Sequence, residues 1–397
     1  MKKASYVCIN AHSNKLAKCY IMKTLRIYNA LLIALVCVFS SSCNNENEKL
    51  HGEKTILLTE ENMPPLTVVE GTVLETPDDA LLPKYMVFRD SILVVKDEKP
   101  IEKYLLVYNL KTGELIAKYL NKGDGPNDVM YPLVQNSCHN GNLSIMDSFT
   151  KANFMMDLDS MFIQRENYRP HRITITDFVK GFCWFGDSLF VAYNGLYLEG
   201  YNNPENIPEF IKYDCRTGQR LTTDTATNKI NCSYVSGAAI YSNTDKNMIF
   251  ASYNSTPRVA FFDLNFNLIK EFIGPEKYDI EYEYDPDLGG LFYKGGVNNG
   301  FYGNGGCTNK YIFVYNSHEY KQKPTHKSRL ERENAMAEAN DIYVFSWDGD
   351  MVARIKSKTP YLIYELTYCD DSKSLYITGK DSDGEMNLVK YDLSEIL

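Results

Sequence analysis

One strand–turn–strand pattern recurs six times along this 397-residue chain, and it limits the fold more than any other feature. In each copy an apolar run ends in Asp or Asn, a short turn follows, and in most copies a second apolar run begins. The anchors are Asn109, Asp157, Asp214, Asp263, Asp348 and Asp392, spaced 48, 57, 49, 85 and 44 residues apart. Each copy also has an upstream hairpin: a turn of Asn, Asp, Gly, Ser or Lys leads into the strand-like runs 92–95, 143–146, 189–192, 248–251, 311–314 and 374–377. Turn residues of this kind supply tight reversals, and β-branched and aromatic runs supply strands. Tyr and Phe, which favour strands, number 30 and 19. Six units of three or four strands, most near 45–57 residues, predict an all-β six-bladed β-propeller. Helical periodicity is almost absent, which excludes β-α-β units, and a sandwich has no need of six equivalent units.

The last unit ends soon after its third strand. Closing the ring therefore requires an N-terminal strand, or two edges stay open. The candidates are residues 54–59 and 66–70. The spacing of 85 marks an insertion in blade five. Residues 321–340 are polar with a second half rich in helix formers, so a short helix over 327–339 or a solvated loop is expected there.

The N-terminus reads as an export signal. Residues 30–39 (ALLIALVCVF) are an unbroken apolar run of ten, too short for a membrane-spanning helix of about 20 residues. Lys23 and Arg26 give the positive flank, and Ser40, Ser41 and Ser42 precede Cys43. Small residues before a Cys resemble the bacterial lipoprotein signal, in which the Cys becomes the lipidated first residue. Ser40 stands where that signal usually has an aliphatic residue. The reading is a signal region 1–42 with Met22 as the working start, a polar lipidated tether 43–53, and a propeller over 54–397. It places the protein in the cell envelope, held to the outer membrane through a lipid on Cys43.

Residues 1–42 hold six Lys or Arg and no acid. The remainder has 42 − 6 = 36 basic against 51 acidic residues, a net of −15. Such a surface repels phosphate backbones, which argues against a nucleic-acid partner. Cys138, Cys183, Cys215, Cys232, Cys307 and Cys369 lack zinc-type spacing. Export permits disulfides among them, and buried thiols are equally open.

Residues 122–128 (KGDGPND) follow the outer strand of the first unit, and Gly274-Pro275-Glu276 sits at the matching place in the fourth. This loop is similar to the G-x-G-P-G-E loop of the TolB-like six-bladed propeller lipoproteins of Bacteroidetes. The resemblance covers about residues 55–397. It departs at Asn127-Asp128, where that family has Gly-Glu. It implies a fold and an envelope address rather than a reaction.

Motifs with chemistry are few. Residues 186–189 (GDSL) spell an esterase signature, but strand-like residues follow where a helix is needed, so Ser188 reads as part of a hairpin. Residues 381–385 and Asp285/Asp287 do not match calcium-loop spacing, since Gly384 falls at position 4 rather than 6. The histidines show no metal pattern; His318 and His326 flank the start of the insertion. No cofactor motif and no metal cluster is expected.

Two stretches, 194–203 and 278–306, are rich in Tyr, Asn and Gly, a composition suited to binding because Tyr offers area at small entropic cost. The ligand-binding candidates are therefore Tyr284, Tyr293, Asn299 and Tyr302, with Asp124 in the Gly123–Gly125 loop. The glycines there are expected to supply positive φ. The alternative for Asp124 is a tight structural turn. Together these features give a non-catalytic envelope lipoprotein binding a glycan, peptide or protein partner at one face of the ring. The alternative is a polysaccharide-active lyase or glycoside hydrolase, which needs paired carboxylates or a metal cluster at the axis. A third reading is a structural partner in an envelope complex.

Overall fold

In the computed structural model the described residues are 54–125, 128–136, 142–147, 149–175, 177, 179–186, 188–194, 209–223, 238–253, 258–275, 282–285, 290–293, 305–317 and 329–397. Three short strands come first: β1 (Thr55–Leu57), β2 (Leu66–Val69) and β3 (Thr72–Leu74). Blade I follows with β4 (Pro83–Phe88), β5 (Ile92–Asp97), β6 (Lys103–Asn109) and β7 (Leu115–Asn121). Blade II has β8 (Pro132–Asn136), β9 (Asn142–Asp147), β10 (Ala152–Asp157) and β11 (His171–Thr174), with helix α1 (Leu158–Gln164) before β11. Blade III has β12 (Val179–Phe185), β13 (Leu189–Asn194), β14 (Phe210–Asp214) and β15 (Arg220–Thr223). Blade IV has β16 (Ala238–Asn243), β17 (Met248–Tyr253), β18 (Arg258–Asp263) and β19 (Leu268–Ile273). A separate hairpin, β20 (Tyr282–Asp285) and β21 (Gly290–Tyr293), lies in the link to blade V. Blade V has β22 (Gly306–Cys307), β23 (Tyr311–Ser317), helix α2 (Arg329–Ala339), β24 (Asn340–Ser346) and β25 (Met351–Ser357). Blade VI has β26 (Leu362–Cys369), β27 (Ser374–Lys380) and β28 (Met386–Asp392).

The cores show that the blades form a closed ring of six. Each apolar cluster lies between two consecutive blades. Ile92 and Val94 of β5 face blade II, while Leu93 and Val95 face blade VI, where they meet Cys369, Tyr376 and Leu388. Equivalent clusters join II to III, III to IV, IV to V and V to VI. Both faces of a second strand are therefore covered, which explains continuous runs such as ILVV where a one-sided sheet would alternate. The inner strands leave backbone groups unpaired in their own sheet, and neighbouring side chains satisfy them. Thr378 Oγ1 accepts from Tyr85 N at 2.8 Å and donates to Tyr85 O at 2.6 Å, and Thr367 Oγ1 accepts from Val87 N at 3.1 Å. Ser242 Oγ donates to Trp184 O at 2.6 Å.

An N-terminal strand closes the ring, but neither expected segment does so. β3 pairs antiparallel with β28 as the fourth strand of blade VI, with Val73 opposite Val389. β1 instead adds a fifth strand to blade IV, and β2 lies parallel on β25 as the fifth strand of blade V, with Leu66 opposite Arg354. The strap thus crosses the outer edges of three consecutive blades. Leu58 and Met63 are buried in the core between blades IV and V. Arg354 holds both carboxylate oxygens of Glu60, at 2.9 and 2.8 Å, and donates to Asp341 at 3.0 Å.

Most expected anchors cap the turn after the third strand with a side-chain oxygen. Asn109 accepts from Lys111 N and Thr112 N, Asp214 from Arg216 N and Thr217 N, Asp263 from Asn265 N and Asn267 N, and Asp392 from Ser394 N. Blade V differs. Its third strand ends at Ser346, and Asp348 is two residues further on, paired with Lys246 at 2.6 Å. The long spacing also has two sources, the hairpin β20–β21 and helix α2, where residues 321–340 were expected to hold it all. Cys183, Cys215 and Cys369 are buried and not disulfide-bonded, and Cys307 is disulfide-bonded. Burial pushes Cys183 and Cys369 up to about 12, so neither is a nucleophile at neutral pH.

Candidate functional site

Successive antiparallel strands put the links between blades and the second-to-third-strand loops on one face of the ring. The tight first-to-second-strand turns lie on the other. Asp124 lies on the link face between blades I and II and is exposed. The loop is organised by Asp128 instead. Its carboxylate accepts from Gly125 N at 3.2 Å and from Asn121 Nδ2 at 3.2 Å. Neither Gly123 nor Gly125 has positive φ. They are needed because a Cβ on either would lie 2.6 or 2.7 Å from Asp128 Oδ2. In the hairpin of the IV-to-V link, Tyr284 is opposite Leu291 and Tyr293 is opposite Tyr282. Cys43, Asn299, Tyr302, His318 and His326 lie outside the described residues.

Beside the Asp124 loop, two equivalent aspartates build a rim on the link face of blades I and II. Asp97 ends β5 and Asp147 ends β9, each the sixth residue of its strand. Asp97 accepts from Leu81 N, Leu82 N and Lys99 N, at 3.1, 3.0 and 2.9 Å. Asp147 accepts from Met130 N at 2.6 Å and Phe149 N at 2.9 Å. Each therefore ties the entering link to the second-to-third-strand loop. Further bonds hold the start of the Asp124 loop to the second-to-third-strand loop of blade I: Lys122 N donates to Glu102 O at 2.7 Å and Lys122 Nζ to Pro100 O at 3.1 Å. Tyr104 Oη donates to Met130 O at 2.6 Å.

This braced rim presents apolar side chains to solvent. Ile101 is 83% exposed, Phe149 68% and Tyr131 58%, and Leu81 and Met130 are also exposed. The rings of Tyr131 and Phe149 meet edge-on at 6.4 Å. Backbone amides held by buried carboxylates keep such side chains in place where hydrophobicity alone would turn them inward. Tyr131 and Phe149 form an exposed ring pair on this face, with Leu81, Ile101 and Met130 exposed on its other loops, and exposed apolar side chains gathered on one face are a candidate interaction surface.

Next to the rim, towards the axis, lies a charge cluster. Lys84 on β4 and Lys96 on β5 are directly paired in the sheet. Both ammonium groups lie 2.9 Å from the same oxygen of Glu98, and Lys84 is 3.9 Å from Glu365 of blade VI. Lys84 and Lys380 both approach the Tyr364 ring, at 5.6 and 6.0 Å. Lys380 pairs with Glu333 of α2 at 3.3 Å, which seats that helix on the link face. Burial pushes Glu365 up to about 6 against the pull of Lys84 and Lys96. Burial would also raise Glu98, but Lys96 and Lys84 outweigh it and hold Glu98 below the usual carboxylate range. Burial lowers Lys96 by more than Glu98 restores.

The esterase-like motif is a hairpin. Gly186 turns at φ 61 between β12 and β13, and Ser188 O accepts from Cys215 N at 3.0 Å. Asp381 caps its own loop by accepting from Asp383 N, Glu385 N and Asn387 Nδ2. Among the described residues no group of His, Cys, Asp and Glu could hold a metal ion.

No protein-family model and no curated protein matches the sequence. Solved structures do. A member of the DUF4221 family from Bacteroides vulgatus aligns with TM-score 0.53 at 11% identity, over 84% of this chain and 98% of that one. A candidate exported protein from Bacteroides fragilis aligns with TM-score 0.52 at 11% identity, over 85% of this chain and 98% of that one. At this identity the likeness establishes the shared propeller fold.

Proposed function

We propose that the protein is a non-catalytic lipoprotein of the cell envelope, anchored to the outer membrane through Cys43, whose propeller binds a partner at the link face of blades I and II. The observation that carries the binding reading is the exposed apolar rim braced by Asp97 and Asp147. Buried carboxylates that hold the amides of exposed Leu81, Met130 and Phe149 fix a face that leaves apolar side chains to be covered by a partner. The address is supported by the apolar run before Cys43, by the disulfide at Cys307, which suits an oxidising compartment, and by the candidate exported protein of the same fold. No helix among the described residues is long and apolar enough to cross a membrane.

The test is binding of the purified 44–397 protein to glycan and peptide arrays, with the Tyr131→Ala/Phe149→Ala double variant beside it. Signal that disappears in the variant supports the reading; signal that is equal in both places the site elsewhere. One observation favours the hydrolase or lyase reading: Glu98 and Glu365 converge on Lys84 near the axis, and Glu365 titrates in the range of a general acid. Lysines already neutralise both, which suits a structural network better. Polysaccharide cleavage abolished by Glu365→Gln would favour the enzyme.

A further inference from the structure

Cys307 is disulfide-bonded, and the fold narrows the choice of its partner. Residues 43–397 hold seven cysteines. Cys183, Cys215 and Cys369 are not bonded to another cysteine. Cys43, Cys138 and Cys232 remain, all three outside the described residues. The strands next to them in sequence tell which of the three can reach Cys307.

The inner strands of all the blades run from the link face to the opposite face, which carries the tight turns. Levels along the axis can therefore be compared strand by strand. Cys307 on β22 is opposite Ile312, the second residue of β23. Asn136 on β8 is opposite Leu143, the second residue of β9, so it stands at the same level. β22 and β8 are the inner strands of opposite blades, V and II, yet their Cα atoms come within 8 Å of each other. Opposite inner strands of a propeller ordinarily flank an open channel. Cys138 follows Asn136 by two residues, a span of at most about 7 Å, and a disulfide needs Cα atoms about 4.4–6.8 Å apart. Cys232 belongs to the link that enters β16 at Ala238 on the link face. On β16 the level of Cys307 is that of Ser242, opposite Ile249 and about 13 Å beyond Ala238. Cys43 precedes β1, which lies on the outer edge of blade IV, away from the axis.

We infer that Cys138 and Cys307 are bonded across the axis on the turn-bearing face, a covalent brace between opposite blades that a reductant can open. Each thiol loses one proton and one electron. A disulfide-donating oxidoreductase of an oxidising compartment takes up both by exchange, and a dithiol reverses the reaction. Blades otherwise hold on to their neighbours, and the ring is closed through the three-residue strand β3. The brace ties blades I–III to blades IV–VI at a second place. It goes beyond the binding reading above and stands without it.

The full chain is expressed with its export signal and purified without reductant. Free thiols are blocked with N-ethylmaleimide, and the unreduced peptides are mapped by mass spectrometry. The expected result is a linked pair containing Cys138 and Cys307. Cys307 linked to Cys232 or Cys43, or a blocking group on Cys138 or Cys307, overturns the inference. Melting curves give a second reading. Cys138→Ser, Cys307→Ser and the double variant should all melt lower by the same amount, roughly 5–7 °C for a closed loop of 307 − 138 = 169 residues. Reductant should lower the wild type equally and leave the three variants unchanged, and Cys232→Ser should melt as the wild type does. Losses that add in the double variant, or a wild type indifferent to reductant, overturn the brace. The peptide map of the wild type decides the pairing even where a variant fails to fold.

Discussion

Replacing Glu365 by Gln should stabilise the folded protein by roughly 2 kcal/mol above neutral pH. The Glu365 side chain is 13% exposed on inner strand β26, and burial pushes its acid from the ordinary 4.5 to about 6. That value already includes the attraction of Lys84 and Lys96, so it measures the net preference for the neutral form. At about 1.4 kcal/mol for each tenfold change, the difference comes to roughly 2 kcal/mol. Because the folded value lies above the unfolded one, this stabilisation is complete below about pH 4.5 and is lost as the pH rises through about 6. Gln keeps the shape and stays neutral throughout. For a unit running from Ile56 to Leu397, unfolding entropy of about 2.1 cal/mol/K per residue converts 2 kcal/mol into about 3 °C. The assay is a pair of melting curves, wild type and Glu365→Gln, across the acidic to mildly alkaline range. The gap should be absent at the acid end and open through pH about 6. A variant melting below wild type in mildly alkaline buffer would refute the reasoning, because the Glu365–Lys84 pair would then be net stabilising.

Three further outcomes are expected. Asp128→Ala should lower stability by about 1–2 kcal/mol through loss of the bonds from Gly125 N and Asn121 Nδ2, whereas Asp124→Ala should leave the melting temperature unchanged; equal effects would contradict the assignment of Asp128 as organiser. Deleting residues 54–74 should destabilise the whole ring in one cooperative transition, since it removes the fourth strand of blade VI and the buried Leu58 and Met63, each worth about 1.5–3 kcal/mol; an unchanged melt would show that the strap is dispensable. Cys43→Ala should move the protein from the membrane to the soluble fraction and abolish labelling by lipid; membrane retention without lipid in either form would contradict the anchor.

Much of the propeller is legible in the sequence because its cause is local. Runs such as 92–95 are apolar at every position since blades lie on both sides of each second strand, and the capping anchors recur because the third strands of blades I, III, IV and VI end in turns capped by an Asn or Asp side chain. Closure was legible in kind but not in place. β3 has three residues and leaves Val73 exposed, so it carries less hydrophobic signal than 54–59 or 66–70, which add outer strands instead. In the sequence Asp348 reads as the anchor because Trp347 and Asp348 continue the run past Ser346, where the strand ends. The glycines that flank Asp124 serve the carboxylate of Asp128. The site itself was hardest to see. Lys84 and Glu365 stand near opposite ends of the chain and meet only when the ring closes. A signal did exist for the rim: Asp97 and Asp147 occupy the same position in consecutive units, and each is followed within four residues by an apolar side chain, Ile101 or Phe149.

The account turns on where a partner binds. Hydrogen exchange of the 44–397 protein with and without the best-binding peptide or glycan tests this most directly, since it reports location without a mutation. The predicted result is slowed exchange in residues 97–103, 121–125 and 128–131 and 149–151, with the turns on the opposite face, such as 89–91, 244–247 and 371–373, unaffected. Protection confined to those turns, or to the β20–β21 hairpin, would contradict it.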